Sequence, residues 1–399
     1  MPALTSTSFA NNKGGSGKTF LLFQAACDAA HAHPERKVLV IDLPLYSDTS
    51  ALLMGGTRRE PGTQLGARVG IQKTMDNIAE NKRADCLVKD LDAYCRPSEA
   101  HGRTSLFGAM AAALRGAGAG KKRPRLSDYY YFSPHTVNHR VPSNLYLIAG
   151  AGKPSWDGAE SGGIGEEWEP CARVLHEAFD DLEGDWHVFV DTDHLAASPL
   201  TKIALGATKD VVISLSLDEG DFQRMFEDAT SNALFADVMI PMAKEGSLRA
   251  KVQSLVFSQV AANKNCEFDE DGMQLPFTPA KLAIDQMRCL AASLLKAVQL
   301  NPEELELTFA AGRDVHISDM TLTDFCQRFC TACKTFPVVA CNLSKLNGAP
   351  LCTMGHIDAT LHIRSGEMCT AETRPKAETL QAIKDEISFI RRKILTDSA

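Results

Sequence analysis

The run Lys13-Gly14-Gly15-Ser16-Gly17-Lys18-Thr19 constrains the fold of this chain more than any other stretch. Residues 6–12 lead into it, and Phe20-Leu21-Leu22-Phe23-Gln24-Ala25-Ala26 leads out. That order reads as short strand, glycine loop, helix. Glycine tolerates positive φ and has no side chain, so Gly14, Gly15 and Gly17, with Ser16 among them, let backbone N–H groups turn inward around a polyphosphate. The helix that follows points its positive end at the same anion. Lys18 is long enough to reach the β and γ phosphates of a nucleotide, and the Thr19 hydroxyl suits Mg²⁺. The spacing departs from the general pattern G-x-x-x-x-G-K-[ST], because Asn12 stands where its first glycine belongs.

Two other runs are short, apolar and end in a carboxylate: Lys37-Val38-Leu39-Val40-Ile41-Asp42 and Trp186-His187-Val188-Phe189-Val190-Asp191. Such runs are expected of parallel strands buried on both faces. Open α/β sheets bind ligands at the carboxyl ends of their strands, so Asp42 is expected near the nucleotide. Asp191 is placed to hold the hydration shell of Mg²⁺. Further strands are expected at 144–150, 210–215, 252–260 and 336–341. Helices are expected at 169–182, 200–207, 218–236 and 279–297. A last helix starts at Pro375, with Leu380, Ile383, Ile387, Ile390 and Ile394 at three- and four-residue steps. The alternation predicts an α/β fold with a mostly parallel central sheet flanked by helices. No clear linker divides residues 1–399, so one enlarged domain is expected, with insertions at about 60–142 and 262–335 and a C-terminal helix at about 375–396.

The chain has 399 residues, 44% hydrophobic and 23% charged, which suits a globular protein with a sizeable core. Its formal net charge of −8 argues against a globally basic nucleic-acid binder, although it leaves room for a local patch. Met1–Thr5 carries no basic segment followed by an apolar one, so no secretory signal is expected. The twelve cysteines then read as reduced thiols in a cytoplasmic setting.

With its extra lysine, K-G-G-x-G-K-T resembles the deviant Walker A loop of the ParA/MinD family of P-loop ATPases. The resemblance is specific at residues 9–19, 37–42 and 186–191, and architectural elsewhere. It implies an ATP- and Mg²⁺-dependent switch that dimerises and positions cargo, either DNA or a protein assembly. Lys13 would act across the dimer on the partner's ATP, Lys18 would stabilise phosphate charge, and Thr19 and Asp191 would hold Mg²⁺. Higher polymers, non-specific DNA and an adaptor protein are the other partners it implies. Membrane binding is disfavoured, because the last helix has a mixed polar face (Lys384, Asp385, Glu386).

Two departures qualify the resemblance. The family's strand ends in Asp-x-Asp, whose second aspartate positions or activates water; here the run is Asp42-Leu43-Pro44. Proline cannot polarise water. Hydrolysis is then slow, or Asp42, Asp48 or Asp193 substitutes. Phe20 stands where the family has a small hydroxyl residue near the α-phosphate. For the adenine, Ser258, Gln259 and Asn263 are the polar options near one strand end, and 342–351 resembles the family's segment beside the base. A nucleotide-dependent structural or filament-forming protein with weak hydrolysis is therefore an alternative.

Two runs fall outside that frame. Cys326, Cys330 and Cys333 have the spacing C-x-x-x-C-x-x-C, which resembles the cluster-binding run of radical enzymes and raises a metal-cluster carrier as a further alternative. On one continuous helix the same thiols would form a single stripe of small apolar groups. Arg115 to Arg125, glycine-rich and basic beside Tyr129-Tyr130-Tyr131-Phe132, reads as a solvated loop next to buried aromatics, or as a nucleic-acid contact.

Overall fold

Seven strands pair in parallel in the computed structural model, in the order β3-β2-β4-β1-β5-β6-β7. They are β1 (Leu4–Ala10), β2 (Lys37–Asp42), β3 (Leu145–Ile148), β4 (Trp186–Asp191), β5 (Asp210–Leu215), β6 (Lys251–Val260) and β7 (Cys330–Lys334). The residues described are 4–11, 17–44, 46–59, 68–95, 122–130, 132–151, 168–192, 194–262, 275–312, 315–354, 361–364, 367–369 and 374–395. Lys13, Gly14, Gly15, Ser16, Asp193, Asn263 and most of the run from Arg115 lie outside them.

The apolar strands sort by alternation onto two faces. Val38, Val40, Phe189 and Val212 pack with α1 (Lys18–Ala32) on one side. Leu39, Ile41, Val188 and Ile213 pack on the other with α4 (Ala84–Cys95), α5 (Trp168–Asp180) and α6 (Pro199–Ala207), helices that follow α2 (Asp48–Leu53) and α3 (Val69–Asn77) in the chain. Leu22 and Phe23 of α1 are fully buried, each a contribution of about 1.5–3 kcal/mol. After α7 (Glu219–Phe226), α8 (Lys281–Leu300) and α9 (Leu322–Phe329) join the second face through Met287, Leu294 and Phe325. The chain then forms α10 (Val338–Asn347), a small β8–β9 pair (His362–Arg364 and Glu367–Met368) and the C-terminal α11 (Ala377–Leu395). α11 lays Ile390 and Ile394 against the α1 face, and its buried Arg391 donates to the buried Asp28 of α1 at 2.8 Å. Its Glu386, whose carboxyl burial pushes above the usual range, accepts from the Lys334 backbone N–H at 2.7 Å.

Five expectations are corrected. Residues 336–341 do not form the late strand. The seventh strand is Cys330–Lys334, and Val338–Asn347 is a helix with Pro337 before it and Gly348, at φ 59°, after it. Its buried members Ala340, Leu343, Ser344 and Asn347 step by three, one and three, a helical period hidden behind a β-rich start. The expected loop at 342–351 therefore begins inside a helix. The cysteine stripe does not form either, because the helix stops at Phe329 and Cys330 and Cys333 lie on β7. Residues three apart on a strand face opposite sides, so Cys330 sits in one core layer while Cys333 packs against the other. Among the described residues no group of three His, Cys, Asp or Glu side chains is placed to hold a metal ion. The helix expected over 218–236 is only Glu219–Phe226, followed separately by Leu234–Met239. Finally, the insertion expected over 262–335 ends in a strand of the central sheet.

Tyr129 and Tyr130, beside the basic run, are structural. Tyr129 is buried and donates to Asp90, while Tyr130 meets Tyr146 and Trp186 edge-on. Arg123 of that run pairs with Glu177 at 3.2 Å and with Asp181 on and just beyond α5.

Candidate functional site

The carboxyl ends of β2 and β4 meet the start of α1. Asp42 and Asp191 are register partners, and Phe9 of β1 is the partner of Asp191 on its other side. Gly17, at φ 83°, turns the chain into α1, a conformation that a Cβ would strain. Among the described residues no side chain caps the first turn of α1 and none in that turn is acidic, which suits an anion at its leading N–H groups.

Lys18 is buried and donates to Asp191 Oδ1 and to the Thr192 carbonyl. Thr19 Oγ1 donates to Asp191 Oδ2 at 3.0 Å, and Thr49 Oγ1 donates to the same oxygen at 2.7 Å. Asp42 Oδ2 accepts from both the backbone N–H and the hydroxyl of Ser50, at 2.7 and 2.6 Å. The N–H of Gly150, beyond β3, donates to the same Ser50 hydroxyl at 3.0 Å. Asp42 Oδ1 is buried with no partner among the described residues. The structure therefore brings together four residues expected from the sequence (Lys18, Thr19, Asp42, Asp191) and adds Thr49 and Ser50.

This donor set fits Mg²⁺ with a nucleotide. Mg²⁺ takes hard oxygen ligands and keeps most of its water, so one or two carboxylates and a hydroxyl suffice. An orphaned carboxylate oxygen at full burial is what an incoming cation shell would satisfy. Of the proposed water-positioning carboxylates, Asp48 is half-exposed and held by Arg68, which also bonds the Tyr46 carbonyl. Pro44 sits at the turn after β2, its carbonyl accepting from the N–H of Ser47 at 3.1 Å.

Burial, then the neighbouring Asp191 charge, push the Asp42 carboxyl up to about 7, against smaller lowering by the Ser50 hydrogen bonds. A raised pKa means that the folded state holds a proton the unfolded state has already lost. Stability from this group is thus complete below about pH 4 and is lost as pH rises through about 7. Asp42→Asn removes that dependence. Urea unfolding at pH 4.5 and pH 8 is expected to show the variant gaining on the native chain by a few kcal/mol as pH rises, since each tenfold difference in proton affinity between the folded and unfolded chain is worth ~1.4 kcal/mol. A difference that does not move with pH would refute the assignment.

A cavity of about 330 Å³ opens beside Gly17 along α1. Phe20 and Gln24 line it from α1, Ser258 and Gln259 from the end of β6, and Phe336 and Lys345 from the segment after β7. Lys345 Nζ lies 4.9 Å from the Phe20 ring centroid. A mostly apolar slot with a few polar groups suits a nucleoside. Phe20 thus lines this slot rather than leaving a gap where a hydroxyl was expected, and Ser258 and Gln259 are where a base contact was sought. Lys345 lies in the 342–351 segment expected beside the base, and Phe336 was missed because its segment read as a strand. Thr49 and Ser50 carried a faint signal, a hydroxyl pair opening a helix soon after a strand-end aspartate.

No protein-family model and no curated protein matches the chain. Solved structures do. The structure of pNOB8 ParA aligns at TM-score 0.53 and 11% identity, covering 99% of this chain and 98% of that one. The same protein bound to nonspecific DNA aligns at 0.48 and 12%, covering 99% and 98%. The septum site-determining protein MinD from Pyrococcus horikoshii OT3, complexed with Mg-ADP, aligns at 0.41 and 13%, covering 97% and 96%. At such identity the likeness is one of fold. The parallel sheet, the glycine turn into α1 and the match along almost the whole of pNOB8 ParA together give the chain the fold seen in that protein.

Proposed function

We propose that the chain is an ATP- and Mg²⁺-dependent dimerising switch that positions cargo. The observation that carries this reading is the meeting of Lys18, Thr19 and Asp191 at the start of α1. Bound Mg²⁺ would neutralise phosphate charge. Lys18 would stabilise phosphate charge, Thr19 and Asp191 would hold the metal's shell, and Phe20 would flank the nucleoside. Lys13 belongs to the dimerising part of the reading, by the resemblance of its loop. Two half-exposed apolar side chains flank the same rim, Tyr46 just beyond β2 and Leu195 just beyond β4, and both suit coverage by a second copy. The cargo is DNA or a protein assembly met through an adaptor. Light scattering with ATP, ADP and no nucleotide, with and without duplex DNA, tests the track: a signal that rises with ATP only when DNA is present supports DNA, and no DNA effect assigns the cargo to protein.

A second reading, a nucleotide-dependent structural or filament-forming protein with weak hydrolysis, is favoured by Pro44 following Asp42 and by Asp48 being held by Arg68. Phosphate-release assays are expected to give slow turnover in the native chain and at least about tenfold faster turnover in Pro44→Asp, since a positioned general base contributes ~10²–10⁴-fold. Equal rates in the two chains would remove the missing carboxylate as the cause.

A further inference from the structure

At the far end of α1 from Gly17 lies a cavity of about 370 Å³. Three histidines line it: His31 from the last turn of α1, and His135 and His139 from the segment before β3. Much of the remaining wall is apolar, with Val141, Pro142 and Met354. The rings of His135 and His139 meet edge to face, their centroids 5.2 Å apart. Two imidazoles that share one tetrahedral metal ion, at ~2.0–2.1 Å from each nitrogen, also hold their centroids about 5 Å apart.

The stretch that carries the pair is fixed by its own hydrogen bonds. Pro134 opens a single turn, Pro134–Thr136, and the Asn138 N–H donates to the Pro134 carbonyl at 2.8 Å. Asn138 is buried between the two histidines in sequence, and its Nδ2 donates to the carbonyls of Leu53 at 2.9 Å and Gly348 at 2.8 Å. His135 Nδ1 lies 2.7 Å from the Val141 carbonyl. A carbonyl only accepts, so Nδ1 carries the hydrogen and Nε2 keeps its lone pair. Metal-bound histidines are held in the same way, one ring nitrogen donating to a carbonyl while the other ligates. His139 is exposed, and its ring nitrogens make no hydrogen bond among the described residues.

We propose that His135 and His139 form a two-imidazole site for a divalent transition-metal ion, with water in the remaining positions. Imidazole nitrogen suits Zn²⁺, Ni²⁺ and Cu²⁺, whereas Mg²⁺ takes oxygen, so this site and the start of α1 do not compete for one ion. Among the described residues no third His, Cys, Asp or Glu side chain is placed to complete the set, His31 included. Arg140 lines the same cavity, and its charge works against a cation. Both features make this an exchangeable site rather than a closed structural one.

The test is a calorimetric titration of the full chain with Ni²⁺, in the presence of Mg²⁺ and without nucleotide, and it stands whether or not the chain binds ATP. One tight Ni²⁺ per chain is expected. His135→Phe and His139→Phe each keep a ring in the pair and remove its nitrogens. Each is expected to lose at least about tenfold in affinity with an unchanged unfolding midpoint, since even the outer partner of a ligand is worth ~10–100-fold. His31→Gln is expected to bind as the native chain does. Should a phenylalanine variant fail to fold, His139→Gln, at the exposed position, decides in its place. No Ni²⁺ binding to the native chain, or displacement of Ni²⁺ by Mg²⁺, overturns the proposal. So does equal affinity in the native chain and the variants of the pair, which would place the ion on other side chains, the twelve thiols among them. A loss in His31→Gln as large as in His139→Phe overturns it too, because the pair would then not be the site.

Discussion

Lys18→Ala is expected to weaken Mg-ATP binding by about 100-fold or more, because it removes charge-assisted hydrogen bonds to two phosphates at ~1.5–3 kcal/mol each. Equilibrium dialysis with labelled ATP reads this directly. The size of the loss follows from where Lys18 sits. It is buried, and it already holds Asp191 and the Thr192 carbonyl in place. Without it Asp191 and Asp42 face one another as two buried carboxylates, so the metal end of the site is disturbed together with the phosphate end. Lys18→Arg keeps the charge but replaces a compact ammonium by a wider fork, and is expected to recover only part of the affinity. Native-like ATP binding by Lys18→Ala would mean that α1 does not receive the nucleotide.

The second large effect concerns the scaffold that carries Thr49 and Ser50. α2 is clamped between α3 and α10 by glycines that touch backbone. Gly56, at φ +99°, would place a Cβ 2.2 Å from the Leu346 carbonyl oxygen, and Gly348, at φ +59°, would place one 2.1 Å from that of Leu52. Neither neighbour is a side-chain tip that can swing away. Gly56→Ala is therefore expected to cost roughly 3 kcal/mol or more in urea unfolding, the sum of a left-handed backbone penalty of ~1–2 kcal/mol and a forced shift of α10. Gly184→Ala separates the two parts. It has φ +94° with nothing within 4 Å of the added Cβ, so only the backbone penalty should appear. Equal losses at the two positions would show that packing against α10 contributes nothing.

That contrast also explains what was legible in the sequence. The strands ending in Asp42 and Asp191 were readable because a fully buried parallel strand must be apolar along its length and polar where it stops. The glycine turn into α1 was readable because a short motif encodes it locally. The last helix was readable because its isoleucines repeat at a helical step, and α11 does bury them. What stayed hidden depends on contacts distant in sequence. Val338-Val339-Ala340-Cys341 is β-rich locally, but Ala340, Leu343, Ser344 and Asn347 meet the core with a helical period, and packing overrides propensity. Cys330–Lys334 carries few strong strand formers and is a strand because β6 offers it an edge. Thr49 and Ser50 gain their role only once α2 is folded back over β2, and nothing in residues 48–53 alone says that a hydroxyl there will face an aspartate of β4.

This site is expected to make association depend on which nucleotide is bound. Sedimentation velocity of the full chain with Mg-ATP, Mg-ADP and no nucleotide tests it most directly. The expected result is a monomer with ADP or no nucleotide, a dimer with ATP, and loss of that dimer in Lys13→Ala. One sedimentation coefficient shared by all three conditions, or an ATP dimer that persists fully in Lys13→Ala, would contradict it.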